Sequence, residues 1–349
     1  KKRRKTFRTK KEADAFTISA GWEVSHGLHT PDSQSITVAE AADLWLKRGE
    51  LQELEPTTLR TYRIHVTYHI TPLIGREKLS RRTAPRVQRF VDDLLESPGP
   101  NGAPRSKEMA RKALTSLKGI LSEAQRRGLV VQNVARDVRL RINSRHKERT
   151  QIPSKEEIRL ILKAVQPRWR PLLVTAIFTG LRSSELRALT WDNVDFKARA
   201  IHVTQRADRW NKMGSPKSAA GLRDIPMTPI VVSELREWKL ACPLGDRNLV
   251  FPTGKGNVEN HGNIINRCLF PIQYECGILG ADGKPKYGLH ALRHFCASFL
   301  IDQGFSSKRI QSIMGHSSIT MTYDHYGHLF PSDDQDQARL AAAERELLG

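Results

Sequence analysis

One run of the chain, residues 289–326, concentrates side chains that suit phosphate chemistry. His290 and Arg293 stand three positions apart, so a helix would place both on one face, within reach of a single phosphate. A Gly-His turn containing His316 follows, and Tyr326 ends the run. A guanidinium binds nonbridging phosphate oxygens through its planar fork, and a phenol can attack phosphorus. The run therefore predicts a site that breaks a DNA phosphodiester.

Two residues outside the run supply what it lacks, a second guanidinium and an acid for the leaving oxygen. Arg182 follows Gly180 at a predicted junction between two helices, which would project its side chain into a cleft. Lys217 lies in a long turn between two predicted strands. No HExxH motif and no acidic triad stands near the histidines, so we expect neither a metal nor another cofactor. A preorganised cationic pocket can stabilise the transition-state charge instead.

The residues alone leave two choices open. Tyr323 lies one helical turn before Tyr326, and either could be the nucleophile. Lys212 shares the long turn with Lys217, and either could be the acid. His294 points about 100° away from Arg293 around the helix, so we interpret it as structural. His325 and His328 are interpreted in the same way.

Charge and composition indicate a polyanion-binding protein of more than one domain. The 349 residues carry a formal net charge of +20, and 39% are hydrophobic, enough for substantial cores. Residues 1–150 hold 31 Lys and Arg against 17 Asp and Glu, so the excess is concentrated there. Such a distribution is the electrostatic footprint of a nucleic-acid binder. No apolar run approaches the roughly 20 residues of a membrane span, and the four cysteines have no metal-site spacing.

The first half predicts a small all-helical domain. Thr37 and Glu40 form a capping-box pattern, and two prolines, Pro56 and Pro85, stand where helices begin. A long helix is predicted from about Ser106 to Arg127, with basic residues between its apolar positions. These basic residues are Lys107, Arg111, Lys112, Lys118, Arg126 and Arg127, and their excess favours contact with the DNA backbone. A first helix is predicted to begin after Thr37, and the others are predicted at about 56–70, 85–95 and 106–127.

The second half mixes helices with short strands. Residues 199–205 alternate as a strand, and residues 222–227 are the expected hairpin partner. Ser154 and Glu157 form a second capping-box pattern, and the alanine-rich C-terminal end favours a helix. Further helices are predicted at about 229–239, 260–276, 290–302, 306–314 and 318–326. We therefore expect a mainly α fold with a small β-sheet, of the α+β class.

Four segments resemble the tyrosine recombinases, the phage-type integrase family. They are TGLRSSEL (179–186), PKSAAGLRDIPM (216–227), LHALRHFCAS (289–298) and MGHSSITMTYDHYGHLFP (314–331). The resemblance implies a catalytic domain over 152–330 and a helical core-type DNA-binding domain over 34–140, joined by a linker over 141–151. It also implies a remnant of an N-terminal arm-binding domain with its linker over 1–33, and a tail helix over 331–349.

The resemblance also implies roles for six residues. Arg182 and Arg293 resemble the phosphate-clamping arginines, and Tyr326 matches the nucleophile, in preference to Tyr323. Lys217 resembles the acid for the 5′ oxygen, in preference to Lys212. His290 resembles the histidine that hydrogen-bonds the phosphate and assists proton transfer, and His316 resembles the second histidine, which bonds a nonbridging oxygen. Glu185 resembles an acidic neighbour that orients the pocket.

The implied activity is integration or excision of a phage or other mobile element through a 3′-phosphotyrosyl intermediate. The implied partners are double-stranded DNA attachment sites, three further copies of the chain in a tetramer that forms a Holliday junction, and DNA-bending accessory proteins. The expected location is the bacterial host cytoplasm, with no membrane partner. A type IB topoisomerase shares this chemistry, and a DNA-binding regulator with an inactive site is an alternative of another class. The presence of all six positions argues against the regulator.

Overall fold

The computed structural model describes residues 6, 8–14, 17, 35–141, 151–330 and 336–348. The chain divides into two compact units, residues 1–147 and 148–349. Most of the predicted arm-domain remnant and of the predicted linker lies outside the described residues. In the parts that are described, no helix is long and apolar enough to cross a membrane.

The first unit is built from helices around one apolar core. Its core includes Phe90, Leu94, Leu117 and Leu121, all fully buried. These residues recur at helical spacing, so each helix turns one apolar stripe inward. The helices are α1 (Val38–Leu51), α2 (Pro56–His65), α3 (Thr71–Ile74), α4 (Ala84–Glu96) and α5 (Lys107–Arg126).

The helix ends of this unit follow the sequence signals. Thr37 and Glu40 form the predicted capping box at the start of α1, and the Ser106 side chain caps α5. Gly128 has a left-handed φ of 70° just beyond α5, as expected of a glycine that ends a helix. The predicted helix over 56–70 differs in detail, because Val66–Ile70 is a π-helical turn and α3 follows it directly.

The basic stripe of α5 is partly neutralised by its own helix. Arg111 and Lys112 both lie against Glu108, and Arg126 and Arg127 both bind Glu123. Spacings of three and four residues bring these pairs together on the helix surface. The stripe remains exposed, but fewer of its charges are free than the sequence pattern suggested.

The second unit has the predicted α+β composition. A three-stranded antiparallel sheet has the order β1-β2-β5, and a separate two-stranded ribbon joins β3 and β4. The predicted pairing of 199–205 with 222–227 is confirmed, with Val203 opposite Arg223. The strands are β1 (Val194–Asp195), β2 (Ala200–Val203), β3 (Arg206–Ala207), β4 (Met213–Gly214) and β5 (Arg223–Pro226).

The helices of the second unit carry most of its core. They are α6 (Lys155–Ala164), α7 (Arg170–Thr179), α8 (Ser183–Leu186), α9 (Pro229–Ala241), α10 (His261–Ile264), α11 (Phe270–Glu275), α12 (Leu289–Asp302), α13 (Ser307–Met314), α14 (Ile319–Tyr326) and α15 (Asp336–Leu348). The helix predicted over 260–276 is divided, because a π-helical turn at Ile265–Leu269 separates α10 from α11. The helix α7 is buried almost all round and packs against α12 and α9. This packing fixes the relative positions of the helices around the candidate site.

Candidate active site

Glu185 anchors two arginines at one side of the site. Its buried carboxylate lies 2.7 Å from Nη1 of Arg182 and 2.9 Å from Nη2 of Arg223. It also accepts the backbone N–H of Arg182 at 2.9 Å, which fixes the start of α8. Burial alone would raise the pKa of Glu185, but hydrogen bonds and charge from Arg223, with the charge of Arg182, lower it. The carboxylate is therefore held ionised between the two cations.

Arg293 is held in a different way, by backbone carbonyl groups. It is 3% exposed, and its guanidinium donates to the carbonyl oxygen of Gly180 at 2.6 Å and to that of Met314. In the described part of the chain, no carboxylate lies within ion-pair distance of it. Burial, followed by the charge of Arg182, lowers the pKa of Arg293 to about 9. The site therefore contains a buried positive charge that no acidic side chain pairs with directly.

Two glycines set the positions of both arginines. Gly180 and Gly315 end α7 and α13 in the left-handed conformation, with φ of 62° and 64°. The carbonyl of Gly315 accepts Nη2 of Arg182 at 2.6 Å, as that of Gly180 accepts Arg293. A Cβ on Gly180 would lie 2.8 Å from the Met314 sulfur, so neither the backbone angle nor the space suits a side chain.

His316 connects the Gly-His turn to the helix that bears Tyr326. Its Nδ1 lies 2.9 Å from Oγ1 of Thr322, which is one helical turn before Tyr326. The two rings of His316 and Tyr326 are nearly parallel, with centroids 6.5 Å apart. Burial, followed by the charges of Arg293 and Arg182, lowers the pKa of His316 to about 3. The ring is therefore neutral near pH 7, with Nε2 left as the nitrogen that can face a ligand.

Tyr326 and Tyr323 occupy contrasting environments. Tyr326 is 2% exposed, and burial raises its pKa to about 12. Tyr323 is 49% exposed, and its hydroxyl donates to Ser307 at 2.9 Å, away from the arginines. In the structure Tyr326, and not Tyr323, therefore lies beside His316.

His294, which the sequence led us to interpret as structural, contacts the hydroxyl of Tyr326. Its Nδ1 lies 2.6 Å from the hydroxyl oxygen of Tyr326, although it points away from Arg293. The helical angle described its direction on α12, but it did not show that α14 packs across that face. His290 lies one turn earlier, with its ring edge-to-face to His294 at 4.6 Å between centroids. His290 itself is exposed, and partial desolvation, with the charges of Arg293 and Arg182, lowers its pKa.

Lys217 stands apart from these contacts. It is exposed and makes no ion pair within the chain as described. The loop that carries it ends beside the site, because a Cβ on Gly315 would lie 2.8 Å from the carbonyl oxygen of Ala220. Lys212 lies at the tip of the β3–β4 ribbon instead, where its backbone N–H donates to Asp208. The two candidate lysines therefore lie on different structural elements.

Sequence reasoning missed two residues that build the site. Arg223 binds Glu185 and also donates to the carbonyl of Ile313 at 2.7 Å, so it joins β5 to α13. Thr322 holds His316. The spacing of four residues between Thr322 and Tyr326 was a usable signal, since both would share a helix face. No local sequence pattern indicated that Arg223 takes part in the site. No cluster of three or more metal-binding side chains occurs among the residues described.

The site contains one buried phenol, two guanidinium groups and three imidazoles. These belong to Tyr326, to Arg182 and Arg293, and to His290, His294 and His316. Positive charge placed around a nucleophilic hydroxyl suits the transfer of a phosphoryl group to tyrosine. The fold and the site together thus define a phosphoryl-transfer enzyme of the tyrosine type, on an α+β catalytic unit.

The chain belongs to the phage integrase family, whose model matches residues 152–333, more than half of its length. It is a site-specific recombinase. It is 27% identical to a XerC-like tyrosine recombinase of Caldanaerobacter subterraneus subsp. tengcongensis, over 94% of this chain and 88% of that protein. It is 24% identical to the ICEBs1 integrase of Bacillus subtilis, over 88% and 83% of the two chains.

Solved structures show the same fold. The Tn1549 transposon integrase in complex with a circular intermediate DNA aligns with a TM-score of 0.70 at 22% identity. That alignment covers 90% of this chain and all of the other. The lambda integrase tetramer bound to a Holliday junction aligns with a TM-score of 0.62 at 18% identity, covering 90% of each chain.

Proposed function

We propose that the enzyme integrates or excises a mobile element by attack of Tyr326 on a DNA phosphate. The attack forms a 3′-phosphotyrosyl link and releases a 5′ hydroxyl. The 5′ hydroxyl of a partner duplex then attacks the link, so the bond energy is conserved without ATP. Arg182 and Arg293 hold the nonbridging oxygens, and His290 and His316 donate hydrogen bonds to them.

The observation that carries the proposal is the buried charge of Arg293. A buried cation that lacks a carboxylate partner is costly, and an anionic ligand would offset that cost. The carbonyls of Gly180 and Met314 orient the guanidinium but do not neutralise it. A phosphate gains negative charge in its pentacovalent transition state, so the field of Arg293 stabilises that state more than the ground state.

Lys217 is proposed as the acid that protonates the leaving 5′ oxygen. Its exposed position on a loop lets it follow the leaving group. The far end of the same loop lies beside Gly315 through Ala220, and this placement supports the assignment. Lys212 lies on the separate ribbon and is not assigned a role.

The two units are proposed to share the work on double-stranded DNA. Residues 34–140 would contact the attachment site through backbone phosphates, and residues 152–330 would carry the chemistry. The segment over 1–33 would be the remnant of an arm-binding domain, and 141–151 the linker. Four copies would act on two duplexes through a Holliday junction, aided by DNA-bending accessory proteins. The expected place of action is the cytoplasm of a bacterial host.

The test is covalent capture on a nicked suicide substrate. The duplex carries the recombination site found beside the element's own gene, so that cleavage releases a short strand and traps the tyrosyl link. Wild type should form a protein–DNA adduct that resists denaturation, and Tyr326→Phe should form none. Tyr323→Phe is the matched control and should form the adduct at the wild-type rate. An adduct in Tyr326→Phe, or none in wild type, would refute the proposal.

The tail after residue 331 is proposed to dock on a neighbouring copy and couple the active sites. Its helix α15 leaves Leu340, Leu347 and Leu348 exposed, and such side chains gain stability by packing against another surface. Removal of residues 332–349 should reduce tetramer assembly on DNA, as measured by analytical ultracentrifugation. Full assembly and wild-type recombination in the truncated protein would contradict the docking.

A further inference from the structure

We propose that His294 is a catalytic residue that takes the proton from the Tyr326 hydroxyl as its oxygen attacks phosphorus. This inference rests on the proposed function, and it assigns a role to a residue that the sequence pattern set aside. The contact that carries it is the distance of 2.6 Å between Nδ1 of His294 and the hydroxyl oxygen of Tyr326. That is the distance expected between a base and the proton it removes.

No other described side chain competes for this hydroxyl. Tyr326 has one hydrogen-bond partner in the described part of the chain, and it is His294. The Nδ1 of His316 is engaged by Thr322, so that nitrogen is not available to the phenol. The contact is shielded from water, since His294 is 9% exposed and Tyr326 only 2%. Because bulk water is kept away from this contact, the phenol proton passes to the base and not to solvent.

The charges around His294 keep it neutral until a phosphate arrives. The groups that face it are His290 and Arg293 from its own helix, and His325 and Tyr326 from α14. Burial, followed by the charges of His290, His325 and Arg293, lowers the pKa of His294 to about 4. A neutral imidazole leaves Nδ1 free to accept the phenol proton. A phosphate bound beside Arg293 adds negative charge nearby, which raises the pKa of His294 at the moment a base is needed.

The proton transfer balances in both half-reactions. In cleavage, the O–H bond of Tyr326 breaks, its electron pair forms the O–P bond, and His294 becomes an imidazolium. The P–O5′ bond breaks, and the leaving oxygen receives a proton from a separate acid, Lys217 in the proposed function. In strand joining, the neutral amine of Lys217 takes the proton of the attacking 5′ hydroxyl as the new P–O5′ bond forms. The bond between phosphorus and the tyrosine oxygen breaks, and His294 returns its proton to that oxygen.

The first test compares His294→Gln with His202→Gln in single-turnover cleavage of the suicide substrate. Glutamine keeps a hydrogen-bond acceptor for the phenol but cannot act as a base. Loss of general-base catalysis should slow cleavage by about 10²–10³-fold in His294→Gln. His202 lies on β2, where its Nδ1 contacts Asp224 at 2.7 Å and takes no part in the described site, so His202→Gln should stay near wild type. Cleavage by His294→Gln within threefold of wild type would overturn the assignment.

The second test separates the base from the acid and from a structural role. A substrate with sulfur in place of the bridging 5′ oxygen needs no protonation of its leaving group, so it should rescue Lys217→Ala but not His294→Gln. Trifluorotyrosine at position 326 is more acidic than tyrosine and should partly restore His294→Gln. In a plot of the logarithm of the cleavage rate against pH, wild type should show a rising limb of unit slope, and His294→Gln should lack that limb. Three results would each contradict the assignment of His294 as the base. They are rescue of His294→Gln by the sulfur substrate, no gain in rate from trifluorotyrosine, and an unchanged pH limb.

Failure of this inference is distinguishable from failure of the proposed function. If wild type forms no covalent adduct, the proposed function itself fails. If wild type forms the adduct and His294→Gln forms it equally fast, only the role of His294 fails. Equilibrium binding of the uncut duplex by each variant confirms that the protein is folded, so slow cleavage with intact binding supports the base.

Discussion

Two buried glutamates, one in each unit, hold arginines in opposite ways. In the helical unit, Glu123 gathers three arginines, of which two are well exposed and one is half-exposed. In the catalytic unit, Glu185 holds the buried Arg223 and the half-exposed Arg182. Arg293, the most buried cation of the site, has no carboxylate within ion-pair distance among the described residues. The three arginines that surround Glu123 are Arg48, Arg126 and Arg127.

This difference between paired and unpaired arginines distinguishes charges that maintain the fold from a charge that we propose binds a ligand. Around Glu123 every cation has an anion, and water can solvate each cation if the anion is lost. Around Glu185 the anion fixes Arg182 and Arg223 in position, while Arg293 is oriented by carbonyl dipoles alone. The unneutralised charge lies where the proposed mechanism places the phosphate. The predictions below test this division, from the largest expected effect to the smallest.

Arg293→Met should cause the largest loss of activity with a small change in stability. Removing one preorganised group that stabilises transition-state charge slows catalysis by roughly 10²–10³-fold. Removal of an unpaired buried charge offsets part of the cost of the lost hydrogen bonds to carbonyls. Arg223→Met is the matched control, because it leaves Glu185 with a partner missing and should lower the unfolding midpoint more. Suicide-substrate cleavage and thermal unfolding measure the two effects. Equal losses of stability in both variants would break the comparison.

Glu185→Gln should destabilise the catalytic unit by about 3 kcal/mol, since breaking a buried ion pair leaves a buried charge uncompensated. Arg182 would also lose its orientation, so cleavage should fall together with stability. Chemical denaturation of the full chain measures the first effect. A variant as stable as wild type would show that Glu185 is not the anchor of the cluster.

Acid should destabilise the catalytic unit through His294 and His316. Their folded pKa values, about 4 and about 3, lie below the ordinary value of 6.5. The unfolded chain therefore binds protons that the folded chain cannot, and stability falls as pH drops from 6.5 toward 4. By pH 5.5 the two histidines together should lower the free energy of unfolding by about 3 kcal/mol. Unfolding midpoints at pH 7, 5.5 and 4 measure it. The slope should flatten in a His294→Gln, His316→Gln double variant, and an unaltered slope would contradict this origin.

Glu123→Gln should have the smallest effect, about 1 kcal/mol, because its three arginines can turn to solvent. Cleavage per bound complex should not change, since the chemistry belongs to the other unit. Chemical denaturation and single-turnover cleavage at saturating DNA provide the measurements. A loss as large as that of Glu185→Gln would remove the distinction between the two clusters.

Local signals predicted much of the fold. The capping boxes at Thr37 and Ser154 begin helices where expected, and the pairing of β2 with β5 matches the alternation in the sequence. These features depend on neighbours within a few residues. The π-helical turns at Val66–Ile70 and Ile265–Leu269 were not predicted, because their apolar spacing resembles that of an ordinary helix.

The site was less accessible to sequence reasoning than the fold. The motif residues were found by their order and by resemblance, and their roles remain proposals. The environment of His294 depends on how α14 crosses α12, which no spacing within α12 reports. Arg223 was missed for the same reason, since its partners Glu185 and Ile313 lie 38 and 90 residues away.

The left-handed glycines have a consequence for evolution and engineering. The main chain at Gly180 and Gly315 helps to position both arginines, so the clamp depends on few side chains besides that of Glu185. Selection for a new target sequence can therefore vary the DNA-facing surface of either unit without retuning the chemistry. The same feature concentrates vulnerability, because a single Gly180→Ala change would disturb the carbonyl that orients Arg293. Libraries built on this scaffold should hold these two glycines constant.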